Sequence, residues 1–222
     1  MDGTIVTPVD LVVETYLVNQ IREHYPTHAI LTEETGVIGN TSDWVWVIDP
    51  IDGTRAYATG LPIWGISVGL LYRNVPYLGG FYLPMTGEMV WGDGRGGYYN
   101  GRRLTNSHSL TPQSPTAFIA VPSDFHQHFS MDFPRLRSFG STAAHLSFVA
   151  RDVALAAIAH HTSLWDLAGL LPIFKMTDIE IQYLSGKPLR IAEVLSGEPL
   201  PEAVIAAPLP LIDGIRRMIH NK

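Results

Sequence analysis

The chain contains no cysteine. That absence excludes disulfide frameworks, thiol nucleophiles and cysteine-built zinc sites together. Charge is sparse too: charged residues make up 16% of the chain against 46% hydrophobic ones, a balance that predicts a sizeable buried core rather than disorder. With a formal net charge of -6, no clustered basic surface is expected for nonspecific nucleic-acid binding. An anionic substrate stays open, because a bound cation reverses the sign of a local site. No hydrophobic run approaches the roughly 20 residues needed to span a bilayer. The start, "MDGTIVTPVD", lacks the basic and apolar regions of a signal peptide. These absences predict a soluble, cytoplasmic protein with neither a membrane nor a nucleic-acid partner. Its 222 residues suit one large domain or two subdomains sharing a core.

Thr7-Pro8 reads as an N-cap and first-turn proline opening a helix through about His24, with Leu11, Tyr16, Leu17 and Ile21 as its apolar stripe. "AILT" is a short strand running into Glu33-Glu34, and "WVWVID" a strand buried on both faces. "ISVGLLYR", "VPYLGGFYLP" and "GEMVWG" read as a meander, followed by an Asn-Gly hairpin in "YYNGRRL". A Ser/Thr/Pro/Asn-rich stretch near 105–116 reads as the crossing between two halves, 1–112 and 113–222. The second half predicts a strand "AFIAV", a helix from about Thr142 to Val149 and a helix beginning near Trp165. Strands "IEIQYL" and "AVIAAP" and a terminal helix through "LIDGIRRMIH" complete it. The sum is a layered α+β fold.

The segment "WVWVIDPIDGTRAYATG" ends an apolar run on Asp49 and Asp52. Carboxylates at a strand end can meet a magnesium ion without dragging charge into the core. Pro50 holds Asp49 extended, so a turn can aim both acids, and the Ile51 carbonyl, at one spot. Gly53-Thr54 would then open a short helix whose free amides suit a phosphate. A polar turn with solvated aspartates explains the same letters, and spacing alone does not choose. Glu33-Glu34 could be a solvated loop, Asp166 in "SLWDLAGLL" a helix cap, and Asp10 a polar-face residue. "GDGRGG" matches G-x-G-x-x-G by letter only, because a strand and a turn follow instead of a helix. His126-x-His128 offers two ligands with no evident third and reads as a surface loop, while His160-His161 lies near Asp166 in sequence. Neither a G-x-S-x-G elbow nor HExxH occurs.

Together "TPVD" (Thr7 to Asp10), "TEETG" (Thr32 to Gly36), "DPIDGT" (Asp49 to Thr54) and "WDLAG" (Trp165 to Gly169) resemble, in order, the motifs of the inositol monophosphatase family of magnesium-dependent, lithium-sensitive phosphatases. "SFGSTAAHLSFVA" is similar to the segment before the last motif. The resemblance implies an αβαβα sandwich of the type shared with fructose-1,6-bisphosphatase, a homodimer, and two or three Mg²⁺ ions. Glu33, Asp49, the Ile51 carbonyl, Asp52 and Asp166 would be metal ligands. Glu33 and Thr54, the latter oriented by Asp10, would serve catalysis by water. Asp52, Gly53, Thr54, Gly140, Ser141, Thr142, Ala159 and Asp166 would line the substrate, a phosphate monoester such as inositol 1-phosphate.

The sequence departs from the family pattern in three respects. It begins almost at the "T-x-x-D" element, ahead of which the family carries a long helix. "TEE" replaces "GEE", and Ala159 stands where inositol-specific members carry a glutamate that contacts an inositol hydroxyl. An alanine cannot make that hydrogen bond. "GLPIWG", Gly60 to Gly65, looks like bacterial members that include histidinol-phosphate phosphatases, so that substrate is the alternative. A non-catalytic metal-binding or interaction module of the same fold is the alternative of another class.

Overall fold

The computed structural model describes residues 5–105 and 108–222; part of the expected crossing near 105–116 lies outside them. The first helix, Pro8–His24, begins where the N-cap predicts. Asp10 Oδ2 accepts the Thr7 amide at 2.8 Å, and Thr7 Oγ1 accepts the Val9 amide at 3.3 Å, which is a capping box. The buried face matches the expected stripe only at Ile21, which is buried, and Leu17, which packs beside it. Asp10, Glu14, Val18 and Ile21 point inward, whereas Leu11 and Tyr16 are 51% and 64% exposed. The inward acids find hydrogen-bond donors, so polarity alone does not decide which face is covered.

Two sheets carry the fold. The larger has eight strands, ordered Gly36–Ile38, Ala29–Thr32, Trp44–Asp52, Gly65–Tyr72, Val75–Leu83, Glu88–Asp93, Gly96–Tyr99 and Arg102–Arg103. Ala29–Thr32 runs parallel to Trp44–Asp52, and the remaining neighbours are antiparallel. Asn100 and Gly101 turn the last hairpin at φ 46° and 77°, as an Asn-Gly type I′ turn requires. The smaller sheet orders Leu136–Arg137, Ile119–Ala120, Ala156–Ala159, Val204–Pro208 and Ile179–Tyr183.

Helices Thr142–Ala150 and Leu171–Met176 lie between the sheets and touch both, and Leu164–Ala168 packs between them on the large sheet. Pro8–His24 covers the outer face of the large sheet, and Ile212–Arg216 that of the small one. This is the αβαβα sandwich. One hydrophobic cluster joins Phe81 and Val90 of the large sheet, Leu146 and Leu167 of the middle layer, and Val204 and Ala206 of the small sheet.

Some elements differ from expectation. "AFIAV" pairs only over Ile119–Ala120, and the helix near Trp165 ends at Ala168 before a separate helix resumes at Leu171. His126 and His128 sit on a short helix, Phe125–His128, rather than in a loop. The terminal helix stops at Arg216. Ile219–Asn221 pairs with Phe129–Met131 instead, since that pairing satisfies backbone groups a short, Gly214-containing helix holds weakly. Among the described residues no helix is long and apolar enough to cross a membrane.

Candidate active site

Asp49 and Asp52 are three residues apart, a spacing that in a regular strand aims side chains at opposite faces. The strand does not turn after Asp49 as the sequence suggested; it continues to Asp52 through a bulge. Asp49 faces Ser67 while Asp52 faces Gly65, so Pro50 and Ile51 together oppose the single residue between. One extra residue restores the alternation and brings both carboxylates to one side. Pro50, with no amide hydrogen to give the ladder, suits such an irregularity.

Glu33 arrives from the neighbouring strand. The parallel pairing of Ala29–Thr32 with Trp44–Asp52 sets Thr32 beside Ile48, and the Glu33 amide donates to the Ile48 carbonyl at 3.2 Å. Two parallel strands thereby deliver Glu33 and Asp49 at the same carboxyl ends, where crevices of such sheets form. Asp166 comes from the middle layer. Its Oδ2 accepts the Ser163 amide at 2.6 Å and the Thr162 hydroxyl at 2.7 Å, capping the helix Leu164–Ala168. The capping expected of this residue is thus present.

That helix can lie this low because glycines floor it. A Cβ at Gly79 would meet the Gly169 carbonyl oxygen at 2.5 Å, and one at Gly69 would meet Ala168 at 2.7 Å. Carboxylate oxygens of Asp49, Asp52 and Asp166 consequently fall within 4.8 Å of one another. Glu33 lines the same cavity of about 230 Å³, with Ile51, Gly53, Thr54, Gly140 and Thr142.

The electrostatics of this crowding are unfavourable on their own. Burial pushes the Glu33 carboxyl up to about 8, with Asp166 repulsion adding to it. Burial and then Asp166 raise Asp52 to about 7, against the opposing hydrogen bonds from Ser141, Ala143 and Thr142. Asp49 lies well above the usual carboxylate range through burial and repulsion from Glu33, Asp52 and Asp166, and burial raises Asp166 as well. Glu33 Oε2 and Asp49 Oδ1 are buried with no hydrogen-bond partner among the described residues. Such a crowd of buried carboxyls either keeps protons to share or takes up hard dications, which offset its charge. The donor set is all oxygen, as magnesium requires.

Around the acids, Thr54 Oγ1 lies 2.9 Å from the Ile51 carbonyl and 3.2 Å from Asp10 Oδ1. Asp10 is fully buried; it touches Thr54 and does not line the cavity. Asp52 also spans the N-terminus of helix Thr142–Ala150. It accepts the Ala143 amide at 2.8 Å, the Thr142 amide at 3.2 Å and the Ser141 hydroxyl. Gly53 holds φ at 90° with its Cβ position 2.9 Å from the Gly140 carbonyl oxygen, so only glycine fits there. Ala159 does not join them. It is buried in the hydrophobic cluster on strand Ala156–Ala159 and does not line the cavity.

Two contributors escaped the sequence reading. Glu14 is buried, accepting the Glu34 amide at 3.1 Å and the Thr35 hydroxyl, and so holds the loop that presents Glu33. Its spacing of four from Asp10 put it on the same helix face, which was the available signal. Arg55 lines the acid cavity and an adjoining one of about 550 Å³. A lone arginine in the first turn of a short helix gives no signal.

Comparison with known proteins agrees with this geometry. The family model described as the inositol monophosphatase family matches residues 2–189. A fructose-1,6-bisphosphatase/inositol-1-monophosphatase of Aquifex aeolicus is 29% identical over 203 residues, 86% of this chain and 76% of that protein. Nus factor SuhB of Haemophilus influenzae is 34% identical over 177 residues, 73% of this chain and 66% of that protein. The chain thus spans about two thirds of the SuhB relative's length. The solved inositol monophosphatase from Anabaena superposes with a TM-score of 0.80 at 28% identity, covering 97% of this chain and 87% of that one. A family match over most of the length, on a shared fold with a convergent acid cluster, means that the chain belongs to the inositol monophosphatase family of phosphatases.

Proposed function

We propose that the chain hydrolyses a small alcohol phosphate with Mg²⁺ as cofactor, inositol 1-phosphate being the first substrate to test. The observation that carries this reading is the meeting of Asp49, Asp52 and Asp166 within 4.8 Å, beside buried oxygens on Glu33 and Asp49 that lack donors. In this reading Glu33, Asp49, the Ile51 carbonyl, Asp52 and Asp166 hold two or three magnesium ions. When bound, such ions offset the charge on phosphoryl oxygens and acidify water.

The chain's own residues do the rest. Thr54, fixed between Asp10 and the Ile51 carbonyl, orients the attacking water in line with the phosphoryl group, and Glu33 takes its proton. The amides of Gly53 and Thr54 receive the phosphate where Gly140 and Thr142 line the cavity, and Ser141 braces Asp52 from behind. Asp52 and Asp166 face it across the cavity. The adjoining cavity lined by Arg55, Leu61, Ser123 and Phe139 gives room for the leaving alcohol. Ala159, buried on its strand, brings no side chain to that cavity, so the hydroxyl contact that the family resemblance associates with a glutamate is missing, which favours a broad rather than a strict alcohol preference.

Phosphate release from inositol 1-phosphate, fructose 1,6-bisphosphate and histidinol phosphate, each with and without magnesium, tests the reading. Histidinol phosphate finds no support among the relatives described above and serves as the control. Magnesium-dependent release from inositol 1-phosphate is expected. Release from none of the esters would favour the second reading, an interaction module, which the likeness to a protein named Nus factor SuhB motivates. A cytoplasmic homodimer inhibited by lithium is the expected working form, checked by light scattering and by lithium titration of the activity.

A further inference from the structure

We propose that His128, His160 and His161 bind a dication of the zinc class, at a site built from side chains other than the carboxylate cluster. One ring nitrogen from each histidine lies within 4.8 Å of the other two. The ring centroids are 4.5 Å apart for His128 and His160, 5.5 Å for His128 and His161, and 4.2 Å for His160 and His161. Adjacent residues of an extended chain normally point to opposite sides. Here His161 takes φ 50°, a left-handed conformation uncommon outside glycine, and the two consecutive rings meet as a result.

The third ligand comes from far along the chain, at the end of the helix Phe125–His128. Its backbone is anchored by the Lys222 amide, which donates to the His128 carbonyl at 3.0 Å. His160 Nε2 lies 3.1 Å from Asp124 Oδ1. With that carboxylate on Nε2, His160 would coordinate through Nδ1, and Asp124 would be the outer partner usual for a metal-ligating histidine.

The donor chemistry selects the ion. Three imidazoles suit zinc, cobalt(II), nickel or copper(II), whereas magnesium and calcium want oxygen. In a tetrahedral site with metal–nitrogen bonds of about 2.0–2.1 Å, the nitrogens sit ~3.4 Å apart. The rings of His128 and His161 are exposed and can turn to reach that spacing. Three protein ligands leave the fourth position for water or another small donor. The ion would staple residues 124–128 to 160–161, a few residues upstream of Asp166.

The test is zinc titration of the metal-stripped full chain in excess magnesium, which keeps the carboxylates occupied, with cobalt(II) visible absorption as a coordination readout. One magnesium-resistant equivalent and a four-coordinate cobalt spectrum are expected. Both should be lost in His128→Ala/His161→Ala, whose positions are exposed and whose folding is checked by circular dichroism. Asp124→Asn should weaken zinc by ~10–100-fold. The site should persist in Asp49→Asn/Asp166→Asn. No magnesium-resistant equivalent in the folded protein, an equivalent indifferent to the double histidine variant, or one that disappears with the aspartate variant would each overturn the proposal.

Discussion

Stripping the protein of divalent cations and raising the pH should destabilise it, and the structure sets the scale. Asp52 is fully enclosed, and its carboxyl rises from 3.8 to about 7. At ~1.36 kcal/mol per pH unit, ionising it in the fold costs on the order of 4 kcal/mol. Glu33 rises from 4.5 to about 8, but it is partly open to solvent and answers to the same neighbours, so it widens the pH window more than it adds to the cost. The sign follows from proton counting. Below about pH 4 both folded and unfolded chains hold these protons, and no penalty exists. Between that range and about 7 to 8 the unfolded chain has released protons that the fold retains, so stability falls as pH rises and the loss is complete above about pH 8. For a chain of this size ~1 kcal/mol moves the midpoint by ~2–4 °C, giving a drop of ~8–16 °C. Scanning calorimetry with EDTA at about pH 5.5 and about pH 8.5, repeated with excess magnesium, samples the upper half of that range, where Asp52 rising to about 7 contributes ~2 kcal/mol and a drop of ~4–8 °C. Magnesium should abolish the drop, and Asp49→Asn should shrink it without metal. A midpoint in EDTA that is flat or rises across this window, with magnesium making no difference, would mean that the fold does not hold these carboxyls protonated.

Other consequences concern single residues. Asp166→Asn should fold, since the amide oxygen still accepts from Ser163, yet reduce magnesium-dependent phosphate release by at least ~10²–10³-fold, the scale of losing one preorganised electrostatic group. Steady-state kinetics across magnesium concentrations check it. Thr54→Val keeps the shape but removes the hydroxyl; kcat should fall by ~10²-fold or more with little change in KM. Gly79→Ala puts a methyl group into the Gly169 carbonyl, so the helix bearing Asp166 must lift. Overpacking of this kind costs ~1–3 kcal/mol, and both the thermal midpoint and the magnesium affinity should drop, as calorimetry and titration would record.

The parts of this molecule legible in its sequence are those fixed by local chemistry. The Thr7-Pro8 start, the Asn100-Gly101 turn and the meander strands all follow from capping, φ preference and alternation, and the structure has them. The acids of the site were legible as a set only through their ordered resemblance to one family, since each alone had an ordinary explanation. The bulge between Asp49 and Asp52 was hidden, because it is defined by the strand opposite rather than by the residues themselves. For the same reason the inward face of the first helix was misread. Its buried carboxylates are satisfied by Thr7, Thr54 and the Glu34-Thr35 backbone and side chains, partners that only the fold supplies. The end strand Ile219–Asn221 depends likewise on Phe129–Met131, far away in the chain.

The central claim is that carboxylates from distant segments converge in order to hold dications. Anomalous diffraction from crystals soaked in manganese, a scatterer that takes oxygen ligands as magnesium does, tests it most directly. The account predicts at least one strong peak among Glu33, Asp49, Asp52 and Asp166. Crystals in which those four side chains remain accessible to solvent, yet carry no manganese peak between them, would contradict it.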